Sequence, residues 1–405
     1  PLARQGKAGK ALNAALTGSV FGDTFSNILL ICVAAPLSYL TLKIGPVEQF
    51  TLILLALTVV GSISGRSLLK GMSCAGFGLL LATVGVSATT GDIRFTFGHD
   101  ELVSGIALIP MVIGLLCLPE VIHQARAGIR RQVLAKIDLR GENGRLTWPE
   151  FRRNLPLLFR SSIIGSIIGA LPGLGVTPAA YMAYSEAQRT SKTPEKFGKG
   201  MVEGVLAPEA ANNAVTGSAM IPMLTLGIPG DDVTAVLMGA FFIQGLSPGP
   251  NIFFEHTEVV YGIFGSLIIC DILLYVIAKA GFNVWIRIIQ LPRHVIFSGV
   301  TVFAVVGAYS INQSLFDVVC LICFGVLGYG MRRFGYSAGA MIIGFILGPL
   351  LERAFDQSMT ISDGSFLIFV ERPIALGLLI LTALSVASVI HVRLRNARFA
   401  KMAQS

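Results

Sequence analysis

Apolar stretches long enough to cross a bilayer recur along this chain, and no other feature constrains its fold as tightly. They fall at 16–42, 47–64, 67–87, 105–122, 259–281, 295–310, 315–329, 338–351 and 374–392. A spanning helix needs roughly 17–25 mostly apolar residues. Several of these runs are short or interrupted by glycine, which suits tilted and packed helices rather than a single anchor. Only 13% of residues are charged and 53% are hydrophobic, against about 25% charged in soluble chains. The predicted fold class is therefore all-α: a polytopic transmembrane helix bundle.

The net charge of +8 would suit a nucleic-acid partner if it were spread over a folded face. Instead it is concentrated between spans. Arg126, Arg130, Arg131, Lys136, Arg140, Arg145, Arg152, Arg153 and Arg160 crowd one polar segment, and Arg393, Arg395, Arg398 and Lys401 crowd the tail. Lys and Arg concentrate in cytoplasmic loops, so 123–156 reads as a cytoplasmic linker, with short surface helices expected at 133–139 and 146–153, and 394–405 as a cytoplasmic tail. No nucleic-acid partner is expected. The six cysteines lie in apolar stretches, and Cys320-x-x-Cys323 has no second Cys or His pair, so they read as small hydrophobes and no metal site is expected.

Between Arg160 and Pro250 the chain twice interrupts an apolar helix with a Pro-Gly turn. The first interruption is Gly165-x3-Gly169-x2-Pro172-Gly173-Leu174-Gly175; the second is Gly227-Ile228-Pro229-Gly230-Asp231-Asp232. Proline ends a helix by removing an N–H and crowding the preceding turn. In lipid, the freed backbone groups are tolerated only where protein buries them or a cavity bathes them. Discontinuous helices of this kind hold substrate and ions in many secondary transporters. A helix restarting at about Thr177-Pro178 presents free N–H groups to an anion; the competing reading is a kinked helix packed through Gly165 and Gly169.

Polar side chains follow. Glu209, Asn212, Asn213 and Thr216, with Ser218 as a further candidate, are spaced to share one stripe of a helix otherwise made of Ala, Gly and Val. Such stripes face protein or water, not lipid. The substrate-binding candidates are thus Pro172, Gly173, Leu174, Gly175, Thr177, Asn212, Asn213, Thr216, Pro229 and Gly230. Glu209, Asp231 and Asp232 are the candidates for a coupling Na+ or H+, although an aspartate beginning a helix is first of all a cap. Asp23, Asp271 and Asp317 also lie near apolar spans and rank lower. Apart from the polar turn 189–199, no Arg or Lys falls between Ser161 and Leu226. An anionic substrate would therefore be held by backbone dipoles, amides and hydroxyls rather than by an arginine fork.

The chain also resembles itself. Gly18–Gly22 matches Tyr261–Gly265, Val59–Ser62 matches Val305–Ala308, and Gly91–Phe95 matches Ser362–Phe366, in the same order. The offset grows because the second copy holds an extra apolar helix near 314–330. In the second copy the bundle follows the Pro-Gly module, whereas in the first almost nothing precedes it. The chain begins with Pro1 and shows no signal peptide, so roughly ninety residues carrying a first hairpin module are expected upstream. The predicted organisation is 1–122, the remainder of a first repeat unit; 123–156, the linker; 157–250, the hairpin module; 251–393, the second helix bundle; and 394–405, the tail.

The segments Gly169-Ala170-Leu171-Pro172-Gly173-Leu174-Gly175, Glu209-Ala210-Ala211-Asn212-Asn213-Ala214, Leu226-Gly227-Ile228-Pro229-Gly230-Asp231 and Gly245-Leu246-Ser247-Pro248-Gly249-Pro250 resemble the large membrane subunit of the tripartite tricarboxylate transporters, the TctA family. Similarity runs the length of the chain, and the family places a segment like 1–11 after its first hairpin. The resemblance implies a bacterial inner-membrane permease that imports tri- or dicarboxylates on an ion gradient. It also implies a periplasmic solute-binding protein and a small membrane subunit as partners. Three alternatives compete. An ATP-driven permease finds no P-loop, since Gly6–Ala11 lacks its spacing and hydroxyl. An intramembrane aspartyl protease needs two aspartates on facing helices, whereas Asp231 and Asp232 are neighbours. A channel needs no broken-helix duplication. No catalytic residue and no cofactor beyond the coupling ion is expected.

Overall fold

A computed structural model describes residues 1–2, 5–42, 44–63, 68–87, 90–126, 146–289 and 293–402. The helix expected at 133–139 and most of the basic linker lie outside them, as do the tail's side chains. In chain order the helices are α1 (Ala8–Thr41), α2 (Pro46–Ile63), α3 (Leu68–Ala82), α4 (Leu108–Arg126), α5 (Trp148–Gly169), α6 (Val176–Thr190), α7 (Glu203–Leu226), α8 (Asp232–Ile243), α9 (Ile252–Glu255), α10 (Thr257–Ile289), α11 (Arg293–Asn312), α12 (Leu315–Phe334), α13 (Ala338–Ile361), α14 (Ile368–Glu371) and α15 (Pro373–Met402). Among them α1, α10, α11, α12 and α13 contain stretches long and apolar enough to cross a membrane, and shorter apolar helices accompany them. The chain is a multi-pass membrane protein with an all-α bundle fold. Among the described residues a single two-residue β pair departs from that pattern: Gly85–Val86 runs antiparallel to Ile93–Arg94.

The chain divides into two compact units. One comprises Pro1–Thr41, Gly128–Thr234 and Leu246–Arg293; the other comprises Leu42–Ala127, Ala235–Gly245 and His294–Ser405. The first contains both α1 and α10, which carry the matched segments Gly18–Gly22 and Tyr261–Gly265, so these two copies lie in one body and pack together.

In the first unit α7 is the central helix, contacted by α1, α5 and α6. Small residues permit this. A Cβ on Gly22 would fall 2.0 Å from the carbonyl oxygen of Ala210, and one on Gly165 would fall 2.2 Å from that of Ala211. The helix backbones therefore touch directly, as small-xxx-small packing requires. Ala179 and Ala183 of α6 join Ala211, Val215 and Ala219 in a buried cluster. The start of α5 is fixed by a capping box between Thr147 and Glu150. Burial pushes the Glu150 carboxyl up, but the Lys10 ammonium and the Thr147 N–H and hydroxyl outweigh it and hold the group down to about 2.

In the second unit α13 packs on α3 and α2, and α4 packs on α12. Arg94, at the end of the β pair, grips Glu352 of α13 with two hydrogen bonds of 2.9 and 3.0 Å.

Candidate functional site

Both interruptions fall where the prolines place them. Helix α5 ends at Gly169, and α6 begins at Val176 after Gly175, whose φ of 68° suits glycine. No side chain caps α6, and Thr177 is exposed in its first turn. Helix α7 ends on Gly227 in the left-handed conformation, with its N–H returning to the carbonyls of Met223 and Pro222. From there the chain does not continue the helix. Gly227, Ile228, Pro229 and Gly230 are buried, and Gly230 lies against Ala219 of α7 and the carbonyl of Gly169.

The two breaks meet. The N–H of Gly173 donates to the carbonyl of Gly230 at 2.7 Å. Among the described residues no donor reaches the carbonyls of Gly227, Ile228 or Pro229. The junction thus combines an uncapped helix start with buried, unengaged carbonyl oxygens. Those groups suit an anion and a cation respectively.

Asp231 takes up a definite role here. Its Oδ1 accepts the Thr234 N–H at 2.8 Å and the Thr234 hydroxyl at 2.7 Å, while its own N–H donates to Thr234 Oγ1 at 2.9 Å. This reciprocal cap starts α8. Asp232 beside it is half-buried, and its carboxylate turns back on its own N–H and that of Val233 in the same first turn.

The polar residues of α7 do not act as one surface. Ser19 of α1 donates to Glu209 at 3.1 Å, and Asn213 returns its amide to the Glu209 carbonyl at 3.0 Å. Asn212 is half-buried and Thr216 exposed, and neither side chain has a hydrogen-bond partner among the described residues. Ser218 leaves the stripe altogether. At 100° per residue it lies opposite Glu209, fully buried and beside Gly169. The junction of the breaks packs against Val215, Ser218 and Ala219, so Asn212 and Thr216 are the stripe residues that flank that face.

A second polar cluster lies on the other side of α7. Asn27 of α1 donates to Asp271 of α10 at 3.0 Å, and Asp23, one turn before Asn27, lies within hydrogen-bonding reach of Asp271. Asp271 is 4% exposed and Asn27 is 1% exposed. Asp23 Oδ1, Asn27 Oδ1 and Asp271 Oδ2 are buried without a partner. Ranking Asp23 and Asp271 low in the sequence treats each as isolated. Asp23 and Asn27 at i and i+4 in a spanning helix were the available signal, because a polar pair there must face protein or water. Asp317, ranked with them, lies in the other unit, where it accepts from Asn312 at 2.8 Å. Among the described residues no group of three or more His, Cys, Asp or Glu is placed to hold a metal.

Comparison with known proteins places these elements in context. A profile described as "Tripartite tricarboxylate transporter TctA family" matches residues 1–343. An uncharacterized 52.8 kDa protein in the TAR-I ttuC' 3' region of Agrobacterium vitis is 40% identical over 378 residues, covering 93% of this chain and 75% of that protein. An uncharacterized protein in the TAR-II ttuC' 3' region of the same organism is 41% identical over 215 residues, covering 53% of this chain and 89% of that protein. No solved structure matches.

Proposed function

This chain belongs to the tripartite tricarboxylate transporter TctA family, and from that premise we propose that it is the permease subunit of an importer of small carboxylates. Tri- and dicarboxylates are its substrate class, an ion gradient is its energy source, and the bacterial inner membrane is its location. Members of the family work in three-part systems. The proposed partners are a periplasmic solute-binding protein, which delivers the carboxylate, and a small membrane subunit.

The observation that carries this reading is the bond from Gly173 to Gly230, which joins two helix breaks into one non-helical junction. The α6 N-terminus at Gly175–Thr177, together with Pro172 and Leu174, would face substrate carboxylates. Pro229 and Gly230 would form the opposite wall, with Asn212, Asn213 and Thr216 on the flank of α7. Asp231 and Asp232 at this junction, and Glu209 beside Ser19 on another face of α7, are the proposed ion-coupling carboxylates.

Reconstitution of the three components in proteoliposomes tests the reading. Radiolabelled citrate should accumulate only when an ion gradient is imposed and the binding protein is present. A panel of di- and tricarboxylates, none of which enters, would overturn it. The basic segment 123–156 is proposed to be cytoplasmic. Gly144→Cys in a cysteine-free background should therefore react with an impermeant thiol reagent only when the inner face is exposed.

A further inference from the structure

Asp23 on α1 and Asp271 on α10 are each the sole carboxylate of a long apolar stretch, yet their carboxyls meet inside the bundle. We propose that Asp23 and Asp271, braced by Asn27, form an intramembrane proton site, the two carboxyls sharing one proton that is gained and released during transport. This rests on the permease reading above and adds to it a site distinct from the helix breaks.

Three observations support the site. Two carboxylates this close, away from water, cannot both remain ionised, so one positive charge must lie between them. No arginine or lysine supplies it: neither aspartate is in a salt bridge among the described residues. A proton shared by two carboxyls within hydrogen-bonding reach supplies that charge. The surroundings also leave capacity unused. Asn27 Nδ2 fixes Asp271 Oδ1, while Asp271 Oδ2, Asp23 Oδ1 and Asn27 Oδ1 are buried and unpartnered. Buried polar atoms in native proteins are ordinarily satisfied, so these three mark a place where a ligand comes and goes.

The groups facing the pair are few. Helix α7 presents Gly217, which leaves no room for a Cβ beside Asn27, and Glu209, which is occupied by Ser19. Helix α5 packs Phe159 against Phe21 and Phe25, on another face of α1 from Asp23, and its Arg160 is paired with Glu186. On α10, Tyr275 and Lys279 follow Asp271 by one and two turns. Both line a cavity of about 630 Å³, with Asn13, Thr17 and Trp148 opposite. The cavity brings a polar mouth to within a helical turn of the pair and is the proposed route for the proton.

The test uses the full chain with its binding protein and small membrane subunit in proteoliposomes. A pH gradient without a sodium gradient should drive uptake. Asp271→Asn and Asp23→Asn should each lower gradient-driven accumulation roughly ten-fold or more, within the usual range of a coupling free energy, while substrate exchange at equal pH persists. Asp271→Glu should retain part of the coupling. Wild-type accumulation in both Asn variants, or uptake driven by sodium alone, would overturn the proposal. Infrared spectroscopy gives a readout that needs no transport: a protonated-carboxyl stretch that titrates with pH, shifts in D2O and is lost in both Asn variants. A missing band, or one insensitive to both substitutions, also overturns it. If no carboxylate enters under any gradient, the permease reading fails while the band still tests the pair. Hydrolysis of a membrane-embedded peptide, abolished by both substitutions, would make the pair catalytic and overturn proton coupling.

Discussion

Gly173 and Gly230 lie in different helix breaks, far apart along the chain, and are joined by a backbone hydrogen bond of 2.7 Å. Each break frees backbone groups that lipid cannot satisfy. Placing one break against the other satisfies two of them at once. The remaining carbonyls of Gly227, Ile228 and Pro229 point to a protein-lined setting for the junction rather than a lipid-exposed one.

Gly230 tests whether this contact matters. A Cβ there would meet the Ala219 side chain at 2.7 Å and the Gly169 carbonyl at 2.8 Å. Overpacking of this kind costs about 1–3 kcal/mol. Gly230→Ala should reach the membrane yet lose most uptake, because the breaks are pushed apart. Wild-type uptake kinetics in this variant would detach the junction from transport.

Most of the helical architecture could be read from the sequence, because hydropathy and proline act locally. Each of the nine apolar runs corresponds to a helix, and both breaks lie at their Pro-Gly turns. What could not be read was which helix faces which. Spacing alone puts Glu209, Asn212, Asn213 and Thr216 on one stripe, but α1 takes Glu209 while Thr216 stays open. Ser218 packs behind, beside Gly169. The meeting of Asp23 with Asp271 depends on α1 lying against α10, a long-range contact that no local pattern encodes.

Asn212 and Asn213 differ in a way that mutagenesis can separate. Asn213 gives its amide to the Glu209 carbonyl, whereas Asn212 has no such bond. Asn212→Ala should leave thermal stability unchanged and abolish uptake if its free amide meets substrate. Asn213→Ala should also impair uptake, and its lost bond should cost about 1 kcal/mol or less. Normal transport kinetics in both variants would remove the pair from the proposed site.

Glu150 carries a pH signature. Its folded value of about 2 lies below that of an unfolded glutamate, near 4.3. A depressed carboxylate stabilises the fold fully above the unfolded value, and that contribution is lost as pH falls through the folded one. Glu150→Gln should therefore cost about 1 kcal/mol at neutral pH, the scale of a well-placed surface pair. The gap from wild type should shrink below about pH 4. Thermal melts of the detergent-solubilised protein at neutral and acid pH check this. A gap that persists unchanged in acid would mean Lys10 and Thr147 do not hold the charge.

Asp231 and Asp232 are adjacent and chemically alike, but they meet the helix start differently: only Asp231 exchanges bonds with Thr234. Asparagine caps as well as aspartate, whereas alanine in place of either costs about 1 kcal/mol. Asp231→Asn should keep Oδ1 on the Thr234 N–H and hydroxyl and leave stability intact, and Asp231→Ala should lose about that amount. Neither change bears on coupling if the residue only caps. Asp232 accepts only from its own N–H and that of Val233, bonds that asparagine can also accept, so Asp232→Asn should preserve folding and lower ion-driven uptake if its charge holds the coupling cation. Measuring uptake against the imposed gradient in all three variants separates the roles. Uptake lost in Asp231→Asn but normal in Asp232→Asn would reverse the assignment and place the cation on the second oxygen of the capping residue. Normal gradient dependence in both Asn variants would leave α8 with a purely structural start and move the coupling charge away from the breaks, to Glu209 or to the Asp23–Asp271 pair.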